Sequence, residues 1–60
     1  MQKQMTVSQW ETFYRDPLNF ASIFRDLTSL EEQADRFTIS TSQRNQLEAI
    51  ETVVNEKFGH

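Results

Sequence analysis

The chain has no cysteine, one proline, one glycine and a single histidine at position 60. Each scarcity removes a class of explanation. Without cysteine there is neither a disulfide framework nor a thiolate metal site, and one terminal imidazole makes no His cluster for zinc. Nucleophilic catalysis needs a base within reach of the attacking hydroxyl or thiol, and no internal histidine is present to serve. Phosphate-cradling loops are built on glycines that are missing here. The sequence therefore reads as a non-enzyme with no cofactor and no metal site. The acidic group Glu31, Glu32 and Asp35 reads as a solvated helix face, because a hard cation needs more oxygens, drawn from a turn or from several elements.

Long apolar runs are also lacking. Nothing reaches the length of a membrane span or a signal-peptide core, and residues 1–5 include two Gln and one Lys. A cytoplasmic protein is expected, with residues 1–5 flexible and one domain over 1–60. A helix lying on a membrane is disfavoured, because such helices carry Lys and Arg on their polar face and this one is acidic. The net charge is −3, and its placement is uneven. Residues 1–30 carry three basic and three acidic groups, residues 31–60 three basic and six acidic. A polyanionic partner is therefore not expected at the C-terminal half.

Few turn-forming residues, together with apolar positions recurring at three and four, predict an all-α fold. Ser8-Gln9-Trp10-Glu11 has the form of a capping box that opens a first helix ending near Arg15 or Asp16, before Pro17. Val7, Trp10 and Tyr14 form its apolar stripe, with Phe13 on the flank. Asp16-Pro17 is an N-cap followed by proline at the first helical position, and it starts a second segment. In that segment Phe20, Ile23, Leu27, Leu30, Ala34 and Phe37 form a seam, widened by Leu18, Ala21 and Phe24. Thr28-Ser29-Leu30-Glu31-Glu32 holds two overlapping capping boxes, so residues 17–37 can be one helix or two with a break at Thr28. Ser40-Thr41-Ser42-Gln43 caps the last helix, which carries Leu47, Ile50, Val53, Val54 and Phe58. Lys57 sits in its last turn, and Gly59 stands where a left-handed cap is expected. The architecture expected is a small three-helix, or four-helix, domain with an antiparallel hairpin of the middle and last helices.

Sixty residues bury only about 60% of the surface the unfolded chain exposes, so stability is thin, and without disulfide or metal a second chain is the remaining device. A homodimer or tight complex is expected on that ground. The seven aromatic residues sharpen the point. Phe20, Phe37 and Phe58 are assigned to the core. Trp10, Phe13, Tyr14 and Phe24 lie on flanks as well as seams, and three short helices have little interior for so many rings. These four, with Arg15 and Arg25 at the rim, are the expected surface for another protein. The function expected is that of a small regulator or adaptor, including an inhibitor or anti-activator of a larger complex.

A second reading comes from Leu30 to Glu48, where Ala34, Phe37, Ile39, Ser40 and Leu47 fall at spacings that resemble the helix-turn-helix motif of repressor-type DNA-binding proteins. The resemblance covers about a third of the chain. It implies that Ser40, Thr41, Ser42, Asn45 and Gln46 face base edges in the major groove. The sequence departs from that pattern at Thr38, where the turn usually has Gly, at Arg44 and Gln33, where hydrophobes are usual, and in carrying two basic against four acidic groups over 30–50.

Overall fold

The computed structural model describes residues 4–59, which form four helices and, among the described residues, no strand. Helix α1 spans Val7–Arg15, α2 Pro17–Phe20, α3 Ile23–Arg36 and α4 Thr41–Phe58. The all-α class expected from spacing is the class observed. Of residues 1–5, the first three lie outside the described residues. Gln4 and Met5 are tied to α4: the Gln4 Oε1 accepts from the Ser42 amide at 2.7 Å and the Met5 carbonyl accepts from the Asn45 side chain at 2.8 Å.

Three of the four helices begin on side-chain caps. Thr6 and Gln9 exchange hydrogen bonds at 2.9 and 3.1 Å, opening α1 two residues before the expected Ser8 box. Inside α1 the Thr12 hydroxyl donates to the Ser8 carbonyl at 3.1 Å, and Glu11 lies 3.7 Å from Arg15, one turn on. Asp16 accepts from the Leu18 amide at 2.9 Å with Pro17 at the first position, as the dipeptide predicts. Ser40 and Gln43 form the expected reciprocal box at 2.9 and 3.1 Å. Each box satisfies two amides that a helix start leaves orphaned.

The break in the middle segment falls at Ala21–Ser22, not at Thr28. After one turn of α2 the Ser22 amide bonds to the Asn19 carbonyl at 3.1 Å, a three-residue step that tightens the chain, and Ser22 adopts φ −102° and ψ 6°. Helical bonding resumes from the Ser22 carbonyl to Asp26. The Thr28 hydroxyl donates back to the Phe24 carbonyl at 3.0 Å, the usual way a threonine settles inside a helix, so its capping potential goes unused. Gly59 also departs from expectation, with φ −82° in place of a left-handed conformation. Its amide donates to the Asn55 carbonyl at 2.7 Å, and a Cβ on Gly59 would run into that same oxygen.

Contacts at the two ends give the helix directions. Gln43, at the start of α4, bonds to Gln33 near the end of α3, while Phe58 at the end of α4 meets Phe24 at the start of α3. The expected antiparallel pair of α3 and α4 is therefore present. The more extensive pairing, however, is α1 on α4. These two run the same way, with Gln4 and Met5 beside Ser42 and Asn45 at one end and Arg15 beside Glu56 at the other. Tyr14, Ile23, Leu30, Ile50 and Val53 make the core, and Trp10, Phe20, Leu27, Leu47 and Val54 pack around it. Because α4 is covered from two sides, its buried face is broad: Ala49, Ile50 and Val53 all lose their exposure.

Two residues assigned to the core from periodicity are not there. Phe37 is 70% exposed and Phe58 63%. Phe37 lies past the last helical residue in extended backbone, φ −140° and ψ 160°, which takes it off the α3 seam. Phe58 sits in the last turn of α4, where Phe20 and Phe24 meet one side of its ring and leave the rest open.

Candidate functional site

Tyr14 stands where α1, α3 and α4 meet. Its side chain is fully buried, its hydroxyl donates to the Asp26 carboxylate at 2.7 Å, and the same oxygen accepts from the Gln46 amide at 2.7 Å. Three helices are thereby joined through one atom. Burial pushes the Tyr14 hydroxyl up to about 12; the Gln46 hydrogen bond pulls the other way, and the adjoining Asp26 carboxylate adds to the rise. Trp10 stacks on the Tyr14 ring at 5.9 Å and Phe13 meets both rings edge-on, at 5.5 Å from Trp10 and 5.0 Å from Tyr14. The Trp10 indole N–H is buried without a hydrogen-bond partner.

The expected aromatic surface is therefore divided. Tyr14 belongs to the core and drops out of it, because its hydroxyl finds two partners there that make burial of the ring tolerable. Trp10 is half-buried, with its ring turned onto Tyr14. Phe13 is 40% exposed at one end of an open depression of about 460 Å³ that runs past Met5, Ser8, Gln9 and Thr12. Phe24 is 54% exposed on another part of the molecule, and its aromatic contact is with Phe58.

It is this second group that forms a patch. Phe58 lies 6.3 Å from Phe24 and 6.1 Å from Phe20, with both pairs tilted by about a third of a right angle. The Lys57 ammonium sits 5.7 Å from the Phe20 ring centre, within reach of a cation–π attraction. Arg25 is mostly solvent-exposed, and its nearest carboxylate is that of adjacent Asp26, at 3.9 Å. Arg15, the other expected rim cation, is already occupied: it binds Glu56 through two hydrogen bonds at 3.1 and 2.7 Å and has Glu11 nearby. The Glu56 bond raises the Arg15 pKa, and Arg15 in turn lowers that of Glu56. Lys57 takes its place beside the rings. Phe20, Phe58 and Lys57 were missed by periodicity, which ranks a ring by its helical register alone. The position of Phe58, at the end of the last apolar stripe, was the available signal.

The residues placed at a DNA interface by the helix-turn-helix resemblance have other work. Ser40 caps α4, and the Ser42 amide is bound by Gln4. Asn45 and Gln46 turn toward the first helix, onto the Met5 carbonyl and the Tyr14 hydroxyl. Thr41 is exposed. No described non-glycine residue has positive φ, so Thr38 does not make the left-handed turn of that motif. Among the described residues no three acidic or histidine side chains come together as a cation cage, and no helix is long and apolar enough to cross a membrane.

Comparison with protein-family models, with curated proteins and with solved structures found no match.

Proposed function

We propose that the protein is a small cytosolic regulator or adaptor that binds another protein through the Phe20, Phe24 and Phe58 end of the bundle. It acts by occlusion or assembly, as an inhibitor or anti-activator does, and carries out no chemistry of its own. The observation that supports this is the pair of rings, each more than half exposed and in mutual contact, with Lys57 beside them and the exposed Arg25 next to Phe24 in the chain. An aromatic side chain offers about 150–250 Å² of surface, so Phe24 and Phe58 together leave roughly 200–250 Å² of ring open to water. Aromatic anchors of this kind carry most of the energy at protein interfaces, while rim cations steer and orient. The partner that suits such a surface presents apolar side chains flanked by carboxylates.

The helix-turn-helix reading draws no comparable support, since Asn45 and Gln46 are spent on contacts with the first helix and its flank. The test of the proposal compares immobilised wild type with Phe24→Ala as baits. The expected result is a partner retained by the first and weakened more than about tenfold on the second, with the helical circular dichroism of the two proteins the same. Equal retention by both baits would sink it.

A further inference from the structure

Resting on the reading of the Phe24–Phe58 patch as a protein-binding surface, we infer that one occupant of it is a second copy of this chain, docked head to tail with its Phe37 ring against Phe24 and Phe58. Phe37 is the other strongly exposed ring. It lies just beyond the C-terminal end of α3, while Phe24 lies at the N-terminal end of the same helix, about 21 Å away for fourteen residues. A lone ring standing off extended backbone has the form of a knob, and two tilted rings 6.3 Å apart give it a seat.

Electrostatics decide between this arrangement and a twofold dimer of patch on patch. The seat carries Lys57, whose ammonium lies over the Phe20 ring, and Arg25, next to Phe24 in the chain and mostly exposed. The C-terminal half of α3 has the opposite character. It carries Glu31, Glu32 and Asp35, all exposed, against Arg36, at the negative end of the helix dipole. A head-to-tail contact brings that acidic end to Arg25 and Lys57. A twofold contact would instead set four cations, two Arg25 and two Lys57, face to face.

The contact is small. The three rings, two from one copy and one from the other, expose roughly 350 Å² between them, well below the ~1,600 Å² total of a stable interface even with some polar rim added, so association is weak and depends on concentration. It also does not close. Each copy keeps a free knob at one end and a free seat at the other, and such heterologous contacts extend into open chains.

Sedimentation of the full chain tests this through complementation. Wild type should grow past a dimer as concentration rises at low salt, and return toward monomer at about 0.5 M salt, where surface charges are screened. Phe24→Ala and Phe37→Ala should each remain monomeric alone. Mixed in equal amounts they should form one-to-one dimers and nothing larger, since one retains only the knob and the other only the seat. Arg25→Glu, which leaves every ring in place, should weaken wild-type association severalfold. Circular dichroism of each variant checks that it is folded. A wild type that stops at a dimer, a Phe37→Ala variant that associates as wild type does, or a mixture that stays monomeric would overturn the head-to-tail contact. A wild type that is monomeric throughout would overturn it too. In that case, a foreign protein held by wild type and lost by Phe24→Ala would leave the patch itself standing, and loss of both results would remove both readings.

Discussion

Replacing Tyr14 with Phe takes away a single oxygen at the point where three helices are joined, and the consequences can be sized. At neutral pH the Asp26 carboxylate loses a donor and the Gln46 amide an acceptor, both in a partly buried setting. Leaving such groups unsatisfied costs about 1–3 kcal/mol. A sixty-residue domain has about 3–9 kcal/mol in total, and each kcal/mol lost lowers its melting point by about 4–8 °C. At high pH the effect reverses. The folded Tyr14 titrates at about 12 against an ordinary value of 10.0, so the folded state holds that proton more tightly than the unfolded chain does. The stability contributed by the protonated hydroxyl is therefore complete below pH 10 and fades as pH rises from there through about 12. The two-unit gap is worth about 2–3 kcal/mol, and Tyr14→Phe has none of it to lose. The assay is direct, because the chain has one tyrosine and one tryptophan. Tyrosinate absorbance gives the titration of Tyr14 alone, and Trp10 fluorescence, from a ring stacked on it, follows the local structure. A tyrosine that titrates near 10 while the helical signal is intact would refute the reasoning, as would a Tyr14→Phe variant as stable as wild type at pH 7.

Capping makes a second prediction: Thr6→Ala and Ser40→Ala should each cost about 1 kcal/mol in chemical denaturation, whereas Ser8→Ala, at the box the fold does not use, should cost less than half of that. Ile50→Ala, in the centre of the core, should cost about 2–5 kcal/mol and bring the chain close to unfolding at room temperature, measured by thermal melting. Phe24→Ala should leave thermal stability within about 0.5 kcal/mol of wild type, because its ring is more exposed than not. Arg15→Ala should remove a contribution that is weakened by salt. Because Arg15 lowers the folded pKa of Glu56, that contribution is present above the ordinary carboxylate value of 4.5 and lost as pH falls below it, which acid titrations of wild type and variant would compare.

Much of this architecture is legible in the order of residues. Asp16-Pro17 and Ser40 with Gln43 mark real helix starts because their chemistry is local and needs no tertiary partner. Other signals compete, and only packing chooses between them. Thr6-Gln9 and Ser8-Glu11 are both capping boxes, and the earlier one opens α1. Thr28 and Ser29 resemble a helix start as strongly as any residues in the chain. The helix runs through them because Leu27 and Leu30 face the core on either side and an interruption would pull both out. Ring burial was the least legible feature. Tyr14 and Phe58 have similar places on their stripes, yet one lies at a three-helix junction and the other at an unroofed end. The candidate surface is half visible in consequence: Phe24 is on it, while Phe58 and Lys57 join it through the packing of α4 against the start of α3.

The pairing of α1 with α4 bears on how the chain reaches this state. The hairpin of α3 and α4 closes over a short connection, Phe37–Ser40, and can form early. Docking of α1 joins residues about forty positions apart, as between Arg15 and Glu56, and that loop must close before its contacts return anything. Tyr14 belongs to that step. The first helix therefore acts as a latch: a chain clipped before Pro17 loses the most extensive helix pairing and, with it, the one hydroxyl that joins Asp26 to Gln46.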